Sequence, residues 1–263
     1  SRTKRDEGYM TMIRERVMRS ERVLGAMVFE FFSPGLPQIM SSAGCEYLIY
    51  DMEHTGIGFE TLRDQVSFCR GLPITPMARV PRGEYHFLAR ALDIGLRGVM
   101  VPMVDSVEQA QAIVAASRYP PLGRRGAAFG FAHDDYLPGY PDEKIRHAND
   151  EILVIAQIET ERGLDAVEDI AAVEGIDVLW VGHFDLTNFL GEPGGFQSRR
   201  YLDALGRIVR AARTHNKGLG FMASDLNWAR EYAGYGFNML AVGPDQALLG
   251  NAVGSMIKDF AEL

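Results

Sequence analysis

Short runs of apolar residues recur along this chain and alternate with segments of helical periodicity. Most of the runs are apolar without a break, which is typical of strands buried on both faces. Gly or Pro lies at nearly every junction between a run and the segment after it. The runs predicted as strands are Val23–Phe31, Glu46–Asp51, Ile74–Val80, Leu96–Val101, Ile152–Ile158, Ile176–Val181, Gly218–Met222 and Phe237–Val242.

The segments between these runs predict helices. The segment from Ser106 to Ser117 repeats apolar residues at helical spacing, and Asp105 or Ser106 is a suitable amino-terminal cap. Similar spacing is found in Phe59–Cys69, Glu161–Val173, Asp203–Thr214 and Asp225–Ala233. Eight strand–helix units in 263 residues match a TIM barrel, so we predict an α/β fold of the (β/α)8 type. An open doubly wound sheet is the alternative, but it usually has a glycine-rich phosphate loop after its first strand, and Glu30–Pro34 is not one.

The composition fits one barrel domain over residues 1–263. No run reaches the roughly 18 apolar residues of a membrane helix and no signal peptide is evident, so we expect a cytoplasmic protein without a membrane partner. Cys45 and Cys69 form no metal-ligand pattern, which favours a reducing compartment and a packing role. The net charge of −8 argues against nucleic acid as a partner.

Polar residues gather at the carboxyl ends of the second, third, fifth and sixth predicted strands. They are Asp51, Glu53, His54, Arg79, Gln157, Glu159 and Asp185. In a parallel barrel these ends form one rim, which is where active sites lie. Glu159 and Asp185 close consecutive strands, so the pair is a candidate site for a divalent metal ion. The alternative is that Thr160 and Asp185 merely cap the helices that follow.

Seven segments resemble, in order, the HpcH/HpaI family of class II (metal-dependent) pyruvate aldolases. They are Tyr50–His54, Ala78–Pro81, Ala91–Gly95, Gly98–Pro102, Arg118–Gly126, Gln157–Thr160 and Gly182–Leu186. The resemblance extends from about Val23 to the last helix. It rests on the joint order and spacing of the motifs, since none of them is decisive alone.

The resemblance implies a role for each matching residue. The family's metal ligands correspond to Glu159 and Asp185, which implies a divalent ion, Mg²⁺ or Mn²⁺, with Co²⁺ or Zn²⁺ as substitutes. Arg79 is then expected to contact the keto oxygen of pyruvate. His54, oriented by Asp51, is expected to transfer protons. The residues expected to bind substrate are Gln157, Glu53 and Phe184.

The function implied is the reversible cleavage of a 4-hydroxy-2-oxo acid to pyruvate and an aldehyde through a metal-stabilised pyruvate enolate. A related metal-dependent lyase or decarboxylase acting on oxaloacetate or an acyl-CoA remains open, because the same enolate serves these reactions. A non-catalytic carboxylate-binding subunit is a third reading. None of the lysines ends a strand on the rim, so a metal enolate fits better than a Schiff base; they are Lys4, Lys144, Lys217 and Lys258.

The resemblance also implies partners: a small-molecule substrate, and a homo-oligomer, either a trimer or a hexamer. In this family C-terminal helices cross between neighbouring subunits, so we expect the segment from Ala247 to Phe260 to pack against a second copy of the chain.

Two features depart from the family pattern. Between Gly182 and Asp185 the chain has His183 and Phe184 where many members have Pro and a small residue, so the substrate's identity stays open. The stretch from Leu122 to Asp150 is predicted as a long loop that enters at the amino end of the barrel. Its arginines, Arg124 and Arg125, are either anion contacts or ordinary solvated charges. Its aromatic residues are expected, with Phe184, to form an aldehyde pocket of broad acceptance; they are Phe129, Phe131, Tyr136 and Tyr140.

Overall fold

Eight parallel strands close into one barrel in a computed structural model that describes residues 12–263. Each strand pairs with its sequence neighbours, and the first pairs with the eighth. The predicted TIM barrel is therefore confirmed, while the single domain over 1–263 stays a prediction because residues 1–11 lie outside the described part. The strands are β1 Val23–Val28, β2 Tyr47–Asp51, β3 Thr75–Arg79, β4 Gly98–Val101, β5 Leu153–Ile158, β6 Val178–Val181, β7 Gly218–Ala223 and β8 Met239–Pro244.

Helices surround the barrel and connect the strands. From residue 12 onward, none of them is long and apolar enough to cross a membrane. The helices are α1 Ile13–Met18, α2 Leu36–Ser42, α3 Phe59–Cys69, α4 Tyr85–Asp93, α5 Val107–Ser117, α6 Pro141–Glu151, α7 Glu161–Asp165, α8 Val167–Ala172, α9 His183–Phe189, α10 Arg199–Thr214, α11 Leu226–Tyr235 and α12 Asp245–Phe260.

Side chains of the strands fill two layers of core. Those pointing outward pack against the helices, and those pointing inward fill the barrel, so β2, β4, β5 and β6 are buried along their whole length. This explains why their sequences are apolar without alternation. Large inward-facing residues include Met27, Tyr47, Ile49, Met77, Met100, Ile155, Trp180 and Met239.

The first strand ends three residues before its predicted end. The backbone N–H groups of Phe29, Glu30 and Phe31 donate to the carboxylate of Asp245 instead of to a neighbouring strand, at 2.9 Å for Phe29 and 2.8 Å for Phe31. Asp245 is 3% exposed and begins α12. It therefore ties the loop after β1 to the start of the last helix.

Local signals predicted the helix starts better than the helix breaks. Ser106 caps α5 and accepts a hydrogen bond from the N–H of Gln109, as predicted. The single helix predicted over Glu161–Val173 is wrong: it is interrupted at Ala166, where the backbone leaves the helical region. The change of direction buries Val167 and Ile170 completely.

The stretch from Leu122 to Asp150 is not structureless. It contains a 3-10 turn at Ala132–Asp134 and most of α6. Arg125 is no solvated charge, because it is 2% exposed and its guanidinium lies 2.6 Å from Asp93. The segment packs at the amino end of the barrel, where Arg97, just before β4, donates to the carbonyl of His133 at 2.7 Å.

Burial of His133 gives the protein an acid-sensitive position. His133 is 7% exposed and neither ring nitrogen has a hydrogen-bond partner among residues 12–263. Burial, with Arg125 nearby, lowers the pKa of His133 below its ordinary value of 6.5. An unfolded chain takes up this proton as the pH falls through about 6.5, whereas the folded chain resists it, so His133 costs stability increasingly toward lower pH.

We expect His133→Phe to lose less unfolding free energy than the wild type between pH 7.5 and pH 5. Urea unfolding at several pH values measures this difference directly. His147→Phe, which replaces a histidine whose side chain is 66% exposed, controls for the substitution itself. Parallel stability curves for the wild type and His133→Phe would show that the buried imidazole is not responsible.

Candidate active site

A buried carboxylate at the end of β2 organises the first part of the site. Asp51 is fully buried, and its carboxylate accepts hydrogen bonds from the N–H of His54 at 2.8 Å and the N–H of Glu53 at 3.3 Å. The hydroxyl of Thr55 donates to the Asp51 carbonyl. These contacts fold residues 51–55 into a tight turn that places Glu53 and His54 at the rim.

Arg79 reaches the same carboxylate from the neighbouring strand. Asp51 and Arg79 are paired in the β2–β3 register, which brings their side chains together at the carboxyl edge. Nε of Arg79 lies 2.5 Å from Asp51 Oδ1 and 3.2 Å from Glu53 Oε2. Within the described chain only this nitrogen of the guanidinium is hydrogen bonded, so both Nη groups are available to a substrate.

His54 is held differently from the expectation. Asp51 binds its backbone rather than its ring, because Asp51 already accepts from Arg79 and from the turn. The carboxylate nearest the ring is Glu53, whose Oε2 lies 3.6 Å from His54 Nε2. The imidazole side chain is 56% exposed, which leaves it accessible for proton exchange with a substrate.

Glu159 forms the second part of the site, at the end of β5. It is 1% exposed and its carboxylate accepts hydrogen bonds from the Gln157 side-chain amide and from the backbone N–H of Met103, the latter at 2.7 Å. Met103 has a φ of +49°, a left-handed conformation that is costly for a residue other than Gly. Gln157 is buried too, and its Oε1 has no hydrogen-bond partner in residues 12–263.

The loop after β6 packs closely on these two side chains. A Cβ atom at Gly182 would lie 2.7 Å from Glu159 Cβ and 2.8 Å from Gln157 Nε2, so only Gly fits this close approach. Asp185 follows in the first turn of α9 and is partly exposed. It is near enough to Glu159 and Glu53 to raise the pKa of both carboxyls.

Negative charge accumulates at this rim. Burial, reinforced by Glu53 and Asp185, raises the pKa of Glu159 to about 7, although the donors Gln157 and Met103 oppose the shift. Burial also raises the pKa of Glu53, where Arg79 opposes it and Asp51 and Asp185 add to it. The guanidinium beside them is already shared between two carboxylates. The cluster therefore has more buried negative charge than its own cation balances.

A divalent cation fits this arrangement. Glu159 and Asp185 offer hard oxygen ligands, and a 2+ charge relieves the repulsion between the carboxyls. Gln157, whose Oε1 has no hydrogen-bond partner in residues 12–263, adjoins Glu159. No group of three or more His, Cys, Asp or Glu side chains encloses a metal position anywhere from residue 12 to 263.

Other cavities and charged groups lie away from this chemistry. A cavity of about 780 Å³ opens at the amino end near Arg70 and Arg97, and one of about 500 Å³ lies between α7 and α10. Neither cavity is lined by the rim residues Asp51, Glu53, His54, Arg79, Gln157, Glu159 and Asp185. Lys217 also lies at the amino end, where its Nζ donates to the carbonyls of Val173 and Ile176. We place the site at the carboxyl rim because the ionisable groups converge there.

Sequence reasoning missed three residues that shape the rim. Asp245 is an acidic residue directly after β8. An acidic residue at the end of a strand also identified Asp51 and Asp185, so the sequence could have predicted Asp245 at the rim. Gly182 stood inside a recognised motif without its steric role being evident. Met103 had no sequence signal, because its importance lies in its backbone conformation and in the contact with Glu159.

Comparisons with known proteins agree with the geometry. The family model described as HpcH/HpaI aldolase/citrate lyase matches residues 26–252. A hydroxypyruvate/pyruvate aldolase of Deinococcus radiodurans is 36% identical over 233 residues, which is 87% of this chain and 82% of that protein. A 5-keto-4-deoxy-D-glucarate aldolase of Klebsiella pneumoniae is 33% identical over 228 residues, covering 87% and 88%.

A solved structure of this family has the same fold as this chain. The crystal structure of an HpcH/HpaI aldolase from Desulfitobacterium hafniense superposes with a TM-score of 0.91 at 29% identity, over 97% of this chain and 98% of that one. Fold, motif order and relatives therefore agree. This chain belongs to the HpcH/HpaI aldolase/citrate lyase family and is a carbon–carbon lyase of the aldolase type.

Proposed function

We propose that this lyase cleaves a 4-hydroxy-2-oxo acid reversibly into pyruvate and an aldehyde through the enolate of pyruvate. The observation that supports this most is the surplus of carboxylates around Glu159, near Arg79, whose Nη groups make no hydrogen bond within residues 12–263. Such a site suits a substrate that chelates a cation with its 2-oxo acid end. It also places fixed donors where negative charge develops on the keto oxygen.

We propose Mg²⁺ or Mn²⁺ as the ion, held by Glu159 and Asp185, with Co²⁺ or Zn²⁺ able to substitute. A divalent ion bound there supplies Lewis-acid stabilisation of the enolate charge. Gln157 and Met103 hold the Glu159 carboxylate in position by hydrogen bonds. Two protein ligands from adjacent βα loops would leave coordination positions for substrate and water.

The side chains at the rim then provide proton transfer, charge stabilisation and substrate binding. In the cleavage direction the C4 hydroxyl loses its proton and its oxygen forms the aldehyde carbonyl with C4. The C3–C4 bond breaks, its electron pair forms the C2–C3 double bond of the enolate, and the π pair of the keto group moves onto the keto oxygen. His54, exposed and beside Glu53, is placed to take the hydroxyl proton and to return it in synthesis. Arg79 stabilises the keto oxygen, Phe184 offers its backbone N–H to the substrate carboxylate, and C3 finally takes up a proton to give pyruvate.

The function is tested by pyruvate release from a panel of 4-hydroxy-2-oxo acids with and without a chelator. Hydroxypyruvate belongs in the panel as a nucleophile for the synthetic direction, because relatives carry it in their names. We expect release that stops in excess chelator and returns with Mg²⁺ or Mn²⁺. Release from oxaloacetate alone favours the decarboxylase reading instead, and full activity in chelator contradicts the proposal.

We also propose that α12 packs against a second copy of the chain in a trimer or hexamer. Its apolar side chains are largely exposed, and Asp245 is its one buried residue in the described chain. An uncovered helix face of this size is typical of an interface. The exposed residues are Leu248, Leu249, Val253, Met256, Ile257 and Phe260.

We expect Ile257→Glu to shift the protein toward smaller species, because a charge is costly at a buried apolar contact. Light scattering after size-exclusion chromatography measures the mass. Leu226→Glu, at an equally exposed leucine on α11 (61% for both Ile257 and Leu226), is the control. A monomeric wild type, or an unchanged mass for Ile257→Glu, contradicts the assembly through α12.

A further inference from the structure

An aromatic cluster stands directly beside the proposed metal ligand Asp185. His183 lies at its centre, 5% exposed, with four rings around it. Its ring centroid is 4.5 Å from Phe184, 4.8 Å from Phe221, 5.1 Å from Trp228 and 5.4 Å from Phe196. These residues come from β7 and from the segments that follow β6 and β7, toward the carboxyl end of the barrel.

One ring of the cluster is fixed on one side and open on the other. Phe184 packs on His183 and meets Phe196 edge-on at 5.4 Å, yet it remains 58% exposed. A large apolar ring with one face in water gains free energy when an apolar group covers that face. Because its neighbours already hold it, Phe184 loses little conformational freedom on binding.

Two of the aromatic residues that were expected to line the aldehyde pocket, Phe129 and Tyr136, lie away from the carboxyl rim. Tyr136 is covered by Arg70 at 5.1 Å, and Phe129 by Lys144 at 5.7 Å. Both rings belong to the Leu122–Asp150 segment, which packs at the amino end of the barrel. Phe184, one residue before Asp185 in the first turn of α9, lies by contrast at the carboxyl end of the barrel.

We propose that the free face of Phe184 forms a wall of the aldehyde subsite and makes this enzyme prefer apolar aldehydes over charged ones. The inference rests on the proposed aldolase function and narrows its substrate class. Each CH2 group that covers the ring removes apolar surface from water, which corresponds to about a threefold gain in kcat/KM per CH2 when most of the group is covered.

The test is a series of straight-chain aldehydes from ethanal to pentanal with saturating pyruvate and metal-loaded full-length protein. For the wild type we expect kcat/KM to rise about threefold per CH2. For Phe184→Ala we expect the dependence on chain length to disappear, and for Phe184→Leu to remain in part. Phe189→Ala, at another exposed phenylalanine of α9 (47% exposed), should keep the wild-type slope.

A charged aldehyde of similar length, succinic semialdehyde, completes the comparison with butanal. Equal slopes in the wild type and Phe184→Ala, or a preference for the charged aldehyde, overturn the inference. Exchange of pyruvate methyl protons by the wild type, without any aldehyde, reports on the proposed function separately. Absent exchange overturns both proposals, whereas normal exchange with an unchanged slope overturns only the role of Phe184.

Discussion

Replacing Asp185 by Ala is expected to lower metal-dependent turnover by about 10³-fold or more while leaving the fold intact. The substitution removes one of the two carboxylates that we propose as metal ligands, and Lewis-acid stabilisation of an enolate is worth several kcal/mol. A loss of about 4 kcal/mol corresponds to roughly 10³ in rate. The side chain is partly exposed, so its removal leaves no large cavity. Pyruvate release measures turnover, and circular dichroism checks the fold.

Calorimetric titration with Mn²⁺ distinguishes a binding defect from a defect in chemistry. We expect Asp185→Ala to bind Mn²⁺ at least tenfold more weakly, because the water that replaces a carboxylate carries no charge. Asp203→Ala removes an acid whose side chain is 73% exposed on α10 and should behave as the wild type. Wild-type affinity and turnover in Asp185→Ala would exclude this residue as a ligand.

The barrel could be predicted because its signal is repeated. Largely apolar runs such as Glu46–Asp51 and Ile152–Ile158 correspond to β2 and β5, because strands buried on both faces are mostly apolar. Strand ends were less certain. Phe29 to Phe31 continue the apolar pattern of β1, but Asp245, more than two hundred residues away in sequence, captures their N–H groups. A local pattern contains no information about such a partner.

For β1 the sequence predicted too much regular structure, whereas for the segment from Leu122 to Asp150 it predicted too little. Its polar composition hides α6, in which few residues face the core; Asn149 is its one buried side chain in the described chain. Arg125 looks like a surface charge in sequence, yet tertiary packing buries it against Asp93 and over the ring of Tyr119. Burial of a charge depends on a partner brought by the fold, which spacing alone does not reveal.

At the rim, residue types could be predicted and contacts could not. Asp51, Arg79, Gln157 and Glu159 converge at the carboxyl edge because parallel strands of a barrel end there. The partner of the His54 ring was expected to be Asp51, but the turn directs that carboxylate to the backbone and leaves Glu53 nearest. The geometry of the turn decides this outcome, and residue spacing does not specify it.

Substitutions of Arg79 and of His54 are expected to slow different reactions. Arg79→Lys removes the planar fork that lets Nε bind Asp51 and keeps the two Nη groups for the proposed contact with the keto oxygen. Aldol cleavage and exchange of pyruvate methyl protons both pass through the enolate, so we expect both to slow by about 10²- to 10³-fold. Arg82→Lys, at an exposed arginine three residues further on, is the matched control.

His54→Ala should instead separate the two reactions. If His54 moves the proton at the aldehyde oxygen, cleavage falls by about 10²-fold or more, as for the loss of a general base. Exchange needs no aldehyde and should fall far less, because Arg79, Glu159 and Asp185 still stabilise the enolate. Both rates can be measured on one sample, by pyruvate release and by proton NMR in deuterated water. Equal losses of cleavage and exchange in both variants would refute this division of labour and place His54 at the enolate itself.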